Sequence, residues 1–324
     1  MKKPLIYTLI IFIIILSFSA CGSPEADTSE TSNGTSATTT NNNTTNTNSS
    51  SETASSTTKE ESTSSNSTPT YVIDNDVIVD TDDFKVTFAT MEDDKIWGPT
   101  IRVLCENKTT DTNLAFSADD VSVNGCMIDP LFYCSVAAGK KAIEEMNFPF
   151  SSLEENNISS VDQIEFTLRI HDDDNWMADD YIKEVFTVFP TGLTAEQVVK
   201  PVRPSSSNEV VFCDNDDFSF VIIEPFEDSI WGYSLLYYVE NKTSSSMTFS
   251  WEDVSVNGFM VDPFWATSVA PEKCKVGSIS FSSSSFEEND IDEVSEIEFR
   301  LSVSNGDDWM ADKYIDKVFE YSPK

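Results

Sequence analysis

Histidine is almost missing from this chain: His171 is the only one in 324 residues. Ser-His-Asp or Cys-His chemistry would have to run through that one ring. It sits in an acidic stretch and has no counterpart in the second half of the sequence. Cysteine is sparse, six in all, with no Cys-x-x-Cys and no clustering with histidine, which disfavours a zinc or haem site. Basic residues are few, 20 Lys and Arg against 56 Asp and Glu, for a net charge of −36. That balance argues against nucleic acid and against electrostatic docking on anionic polymers or lipid. It fits a solvated acidic surface, with a basic partner or divalent cations as the alternatives. Neither a Gly-rich phosphate loop nor a Ser-centred elbow is present. Carboxylate pairs of glycosidase type are always available in so acidic a chain and discriminate nothing. No catalytic residue is assigned, and the chain reads as a non-enzyme.

The first twenty-one residues are informative. Lys2 and Lys3 form a short positive segment, and Leu5 to Leu16 is an almost unbroken run of Leu, Ile and Phe. That is the layout of a secretory signal. The run ends in Phe18-Ser19-Ala20-Cys21-Gly22, and small residues directly before a cysteine resemble the lipobox of bacterial lipoprotein precursors. The resemblance implies diacylglyceryl transfer to the Cys21 thiol and cleavage before it. Two acyl chains suffice for stable anchoring without a membrane-spanning helix. An uncleaved anchor is disfavoured because the apolar run is short for a span of about 20 residues. No later segment is apolar for long enough to cross a bilayer. The implied location is the extracytoplasmic face of the cell membrane, with the membrane contacted through the lipid on Cys21.

Residues 28 to 70 are almost entirely Ser, Thr and Asn, with no apolar side chain larger than alanine. Such a segment cannot bury enough surface to offset its chain entropy and reads as a disordered tether.

The remainder is a duplication. Ile96-Trp97-Gly98 recurs as Ile230-Trp231-Gly232, and Glu106-Asn107-Lys108-Thr109 as Glu240-Asn241-Lys242-Thr243. Asp120-Val121-Ser122-Val123-Asn124-Gly125 recurs as Asp253 to Gly258, and Trp176-Met177-Ala178-Asp179 as Trp309 to Asp312. The offset is about 134 residues and shortens by one after Asn113, so a single deletion aligns the halves. The organisation expected is a signal peptide at 1–20, a tether at 21–70, repeats at 71–190 and 208–324, and a linker at 191–207. Phe84, Val86 and Phe88 alternate with polar residues, as do Ile164, Phe166, Leu168 and Ile170, the period of half-buried strands. Asn-Gly at 124–125 and 257–258 marks hairpins, because both turn residues tolerate positive φ. The fold class expected is all-β: two tandem immunoglobulin-like antiparallel β-sandwiches after the tether. Ser152-Leu153-Glu154-Glu155 and Ser285-Phe286-Glu287-Glu288 suit single helical turns. Thr194-Ala195-Glu196-Gln197 fits a capping box opening a short helix that Pro201 ends.

An alternating strand ending in Glu-Asn-Lys-Thr, followed by Asp-Val-Ser-Val-Asn-Gly, is similar to the telokin-like, immunoglobulin-fold domains of lipoproteins from Gram-positive bacteria. That family is largely of unknown function. The resemblance implies the fold and brings no catalytic residues.

Site expectations rest on aromatics, acidic loops and thiols. The tryptophans shared by the copies, Trp97 with Trp231 and Trp176 with Trp309, are expected to close the ends of the cores, with a platform for sugar rings or a peptide as the alternative. Trp251, Phe259 and Trp265 stand where the first copy has Ala118, Cys126 and Phe132, and they are the candidates for an exposed partner-binding patch. Asp172, Asp174, Asp179, Asp307 and Asp312 cluster on equivalent loops. A solvated hairpin loop is the preferred reading there and calcium the alternative, because that ion takes six to eight oxygens. No other cofactor is expected. Cys105 reads as a buried free thiol, while Cys126 with Cys134, and Cys213 with Cys274, are the candidate disulfides. The function expected is that of a non-catalytic cell-surface lipoprotein binding an extracellular protein or glycan partner. The alternative is a structural or accessory envelope lipoprotein that acts as a spacer.

Overall fold

The strands follow the alternation seen in the sequence. The computed structural model describes residues 70–323, with Leu131 and Trp309 excepted. Cys21, the leader and the Ser/Thr/Asn-rich segment lie outside the described residues. The first repeat comprises β1 (Asp74–Asp80), β2 (Phe84–Asp94), β3 (Gly98–Asn107), β4 (Leu114–Val123), β5 (Cys126–Met127), β6 (Tyr133–Val136) and β7 (Lys141–Asn147). It continues with α1 (Phe150–Glu155), β8 (Ile164–Asp172) and β9 (Ile182–Val188). The second runs through β10 (Val210–Asp214), β11 (Phe218–Asp228), β12 (Gly232–Asn241), β13 (Met247–Val256), β14 (Phe259–Met260), β15 (Ala266–Val269) and β16 (Cys274–Ser280). It ends with α2 (Ser283–Glu288), β17 (Ile297–Asn305) and β18 (Ile315–Tyr321). The protein is all-β, built as two antiparallel sandwiches of immunoglobulin-like type.

In each repeat one sheet has four strands, ordered β1-β2-β3-β7 or β10-β11-β12-β16. The facing sheet is β5-β4-β8-β9 or β14-β13-β17-β18, with β6 or β15 paired to β4 or β13. Inward positions fill the space between, such as Phe84, Val86 and Phe88 on β2 against Ile164, Phe166 and Leu168 on β8. Among the described residues no helix is long and apolar enough to cross a membrane.

The repeated polar motifs are structural clamps. Asn107 is buried, and its Nδ2 donates to the carbonyls of Thr112 and Val136, each at 2.8 Å. Its Oδ1 accepts from Thr109 N–H and Thr109 Oγ1. Asn241 repeats the arrangement with Ser245, Val269 and Thr243. A buried amide is tolerated because each of its polar atoms is satisfied. Asn124 and Gly125 take φ of 51° and 87°, and Asn257 and Gly258 take 52° and 85°, so the Asn-Gly hairpins form as expected. Asn124 Oδ1 then accepts from Asp162 and Gln163 N–H, tying the hairpin to the start of β8.

The repeats also share a core. Strand β11 is buried on both faces: Phe218, Phe220 and Ile222 enter the second repeat's own core. Val221 and Ile223, of opposite parity, join Tyr238 and Val276 in the cluster that forms the core of the first repeat. A single parallel pairing of Cys126 with Cys274 joins β5 to β16 and makes one nine-stranded sheet from both repeats. These two residues form a disulfide. Lys273–Glu165 at 2.6 Å and Lys275–Asp129 at 2.9 Å bridge the same seam.

Two local expectations are corrected. The linker helix does not form: Thr194 N–H donates to Gln197 Oε1 as a capping box requires, but the chain makes only one turn there. Too few residues separate the cap from Pro201 for a helix to propagate. Single helical turns do form at α1 and α2. The disulfide joins the two repeats, in place of Cys126–Cys134 or Cys213–Cys274. Cys134 is buried in the first core beside Cys105, and Cys105, Cys134 and Cys213 are free thiols. The neighbouring Cys134 thiol, together with burial, holds the Cys105 thiol well above the usual thiol range.

Candidate binding site

The turn between β2 and β3 is locked by its own side chain. Asp94 Oδ1 accepts hydrogen bonds from Ile96 N–H at 2.7 Å and Trp97 N–H at 2.8 Å. Those two donors hold the Asp94 carboxyl below the usual carboxylate range, with Trp97 N–H the larger cause. Gly98 follows at φ +90°, and a Cβ there would collide with the Phe148 carbonyl, so only glycine fits. The turn between β11 and β12 repeats the hydrogen bonds and the backbone conformation: Asp228 Oδ1 accepts from Ile230 N–H at 2.7 Å and Trp231 N–H at 2.8 Å, and Gly232 has φ +85°.

Each locked turn carries an Ile-Trp pair into solvent. Trp97 is 58 % exposed and Trp231 64 %, and the adjacent Ile96 and Ile230 are more exposed still. The expectation that these tryptophans close the cores is therefore corrected. They lie beyond the last inward position of their strands, where no facing sheet covers them. Trp176 is also exposed, as are Met177 and Met310, while Trp309 lies outside the described residues.

The expected exposed patch at Trp251, Phe259 and Trp265 is corrected in the opposite direction. Trp251 is 4 % exposed and Trp265 8 %. Trp251 stacks on Phe299 with ring centroids 3.9 Å apart, and Trp265 meets Tyr237 edge-on at 4.9 Å. Met247, Phe249 and Trp251 share one parity on β13, which points Trp251 inward. That alternation was present in the sequence and is the signal that could have placed it. Only Phe259 of the three is exposed, next to Met260.

The acidic loops use their carboxylates as turn acceptors. Asp172 Oδ1 accepts from Asp174 and Asn175 N–H, and Asp174 Oδ2 accepts from Asn113 Nδ2. Asp173 accepts from the hydroxyls of Ser135 and Tyr133, which hold its carboxyl below the usual range. In the second repeat Asp307 Oδ2 accepts from Ser246 N–H. Asp179 and Asp312 are exposed. Among the described residues, no three His, Cys, Asp or Glu side chains converge at metal-binding geometry.

Of the repeated motifs, Glu-Asn-Lys-Thr and Asn-Gly are accounted for by the clamps they build. Asp-x-Ile-Trp-Gly instead uses well-formed local structure to hold large apolar side chains away from either core.

No family model and no curated protein matches the chain. Among solved structures it overlaps the crystal structure of red sea bream transglutaminase at 12 % identity and a TM-score of 0.19. The overlap covers 76 % of this chain and 32 % of that one, so the chain spans about a third of that protein's length. A score that low carries no argument about fold or activity.

Proposed function

We propose that this protein is a non-catalytic lipoprotein of the cell surface, anchored through Cys21, whose duplicated domains bind an extracellular protein or glycan partner. The observation that carries the reading is the duplicated Ile-Trp tip. Two exposed apolar pairs, each fixed by an Asp acceptor and a positive-φ glycine, gain nothing from the core and are preorganised for contact. Tryptophan is also the residue type most enriched at binding hot spots. The test is retention of the purified chain on envelope fragments. Trp97→Ala with Trp231→Ala should reduce retention at least tenfold with the melting temperature unchanged, and equal retention would refute the reading. Cys21→Ala should release the protein from membranes, and continued membrane association would refute the anchor.

The spacer reading has its own support in the disulfide and the shared core, which couple the two sandwiches. Retention indifferent to both tips would leave the spacer as the function.

A further inference from the structure

The second tip borders a cleft. Trp231 forms one wall and Phe264 another, and the cleft measures about 570 Å³, within the roughly 300–1,000 Å³ of small-molecule sites. Phe264 is the more unusual wall. It is 90 % exposed and has φ +50°, in the left-handed region where a bulky residue is strained. Asp262 Oδ1 holds it there by accepting from Phe264 N–H at 2.7 Å. An aromatic ring kept in a costly conformation, with no packing in return, points to a contact made with something else.

Between the walls the lining is hydroxyl-rich, with Ser280 and the four serines 282–285. Ser282 and Ser284 hydroxyls bond each other at 2.7 Å, so this surface both donates and accepts. No lysine or arginine lines the cleft, and its one charged group is Asp262. The first repeat has less of this chemistry: it keeps Ser151 and Ser152 where the second has Ser284 and Ser285, but Asn147, Pro149 and Phe150 stand where the second has Ser280, Ser282 and Ser283.

We infer that this cleft binds an uncharged oligosaccharide, with a pyranose ring stacked on Trp231 and Phe264 and its hydroxyls bonded to the serines. Flat aromatic faces match the C–H faces of a sugar ring, and hydroxyls that donate and accept match its rim. An anionic polymer would meet Asp262 and a net charge of −36 with no cation to neutralise it. A peptide strand would need an open row of backbone donors and acceptors, whereas serine side chains form this lining.

The inference rests on the binding reading and is tested separately from it. The mature chain, purified in detergent, is titrated calorimetrically with hexamers of β-1,4-linked N-acetylglucosamine and of β-1,4-linked glucose. At least one should bind; Trp231→Ala and Phe264→Ala should each weaken binding tenfold or more, and Trp231→Tyr should stay within about threefold. Met310→Ala, exposed in the same repeat but away from the cleft, should change nothing. Absence of binding by both hexamers, or binding unchanged by Trp231→Ala, overturns the inference. If envelope retention still depends on the tips in that case, partner binding stands and only the glycan assignment falls. If a hexamer binds through Trp231 while retention ignores the tips, the glycan site stands and only the assignment of the tips as the envelope contact falls.

Discussion

The two repeats share strand order, clamps and hairpins, yet their cores are filled by different chemistry. In the second, Phe212 contacts Phe220 at 5.8 Å, Phe299 at 5.2 Å and Phe319 at 5.4 Å, and Trp251 and Trp265 join the same group. In the first, the ring contacts are Phe88–Phe166 at 5.7 Å and Phe166–Phe186 at 6.0 Å. Ile78, Val86, Val103, Ala118 and Val188 stand where the second repeat has Phe212, Phe220, Tyr237, Trp251 and Tyr321. One backbone thus tolerates an aliphatic or an aromatic filling, because packing volume and inward parity matter more than residue identity. The polar clamps, by contrast, were retained in both copies. Substituting Asn107 or Asn241 would leave buried carbonyls without a donor, a loss that repacking cannot absorb.

The comparison can be broken most severely at Trp251. Trp251→Ala should lower unfolding stability by about 3–5 kcal/mol, the usual cost of emptying a large aromatic site. Trp231→Ala should change it by less than about 0.5 kcal/mol, as exposed substitutions do. Equal losses in chemical denaturation would contradict the assignment of one ring as buried and the other as exposed. Next comes the seam. Cys126→Ser with Cys274→Ser should cost roughly 2–5 kcal/mol, the usual range for removing a native disulfide that closes a long loop. It should also split one thermal transition into two if the disulfide is what couples the repeats, while a single transition at lower temperature would place the coupling in the shared apolar cluster.

The smallest effect expected is at Asp173, whose equivalent in the second repeat is Gly306. Ser135 and Tyr133 hydroxyls lower its folded-state pKa, so the stability it contributes is present above the usual carboxylate range. That contribution is lost as pH falls through the lowered value. Asp173→Asn should be less stable than the parent at neutral pH, and the two stability curves should converge on acidification. Parallel curves would remove Asp173 from the difference between the repeats.

Strand parity and the Asn-Gly turns were legible because each is a local rule, set by the alternation of Cβ directions and the steric freedom of two residues. The same rule applied to Met247, Phe249 and Trp251 places Trp251 in the core, a signal outweighed by its lack of a tryptophan partner in the first copy. Trp97 and Trp231 were harder to place. Their exposure depends on where the facing sheet ends, which no residue at the tip encodes. The cleft beside Trp231 joins residues 230–231, 262–264, and 280 with 282–285, three segments that only chain return brings together.

By itself, then, the sequence determined the duplication, the all-β class, the hairpins and the scarcity of groups for histidine or clustered-metal chemistry. The tertiary structure decided which tryptophans face solvent and which cysteines meet. It also buried one repeat's outer face against its sister. The division has a physical origin. Turn and strand preferences act over a few residues, whereas burial and disulfide pairing depend on distances between segments far apart in the chain, Cys126 and Cys274 being separated by 148 positions.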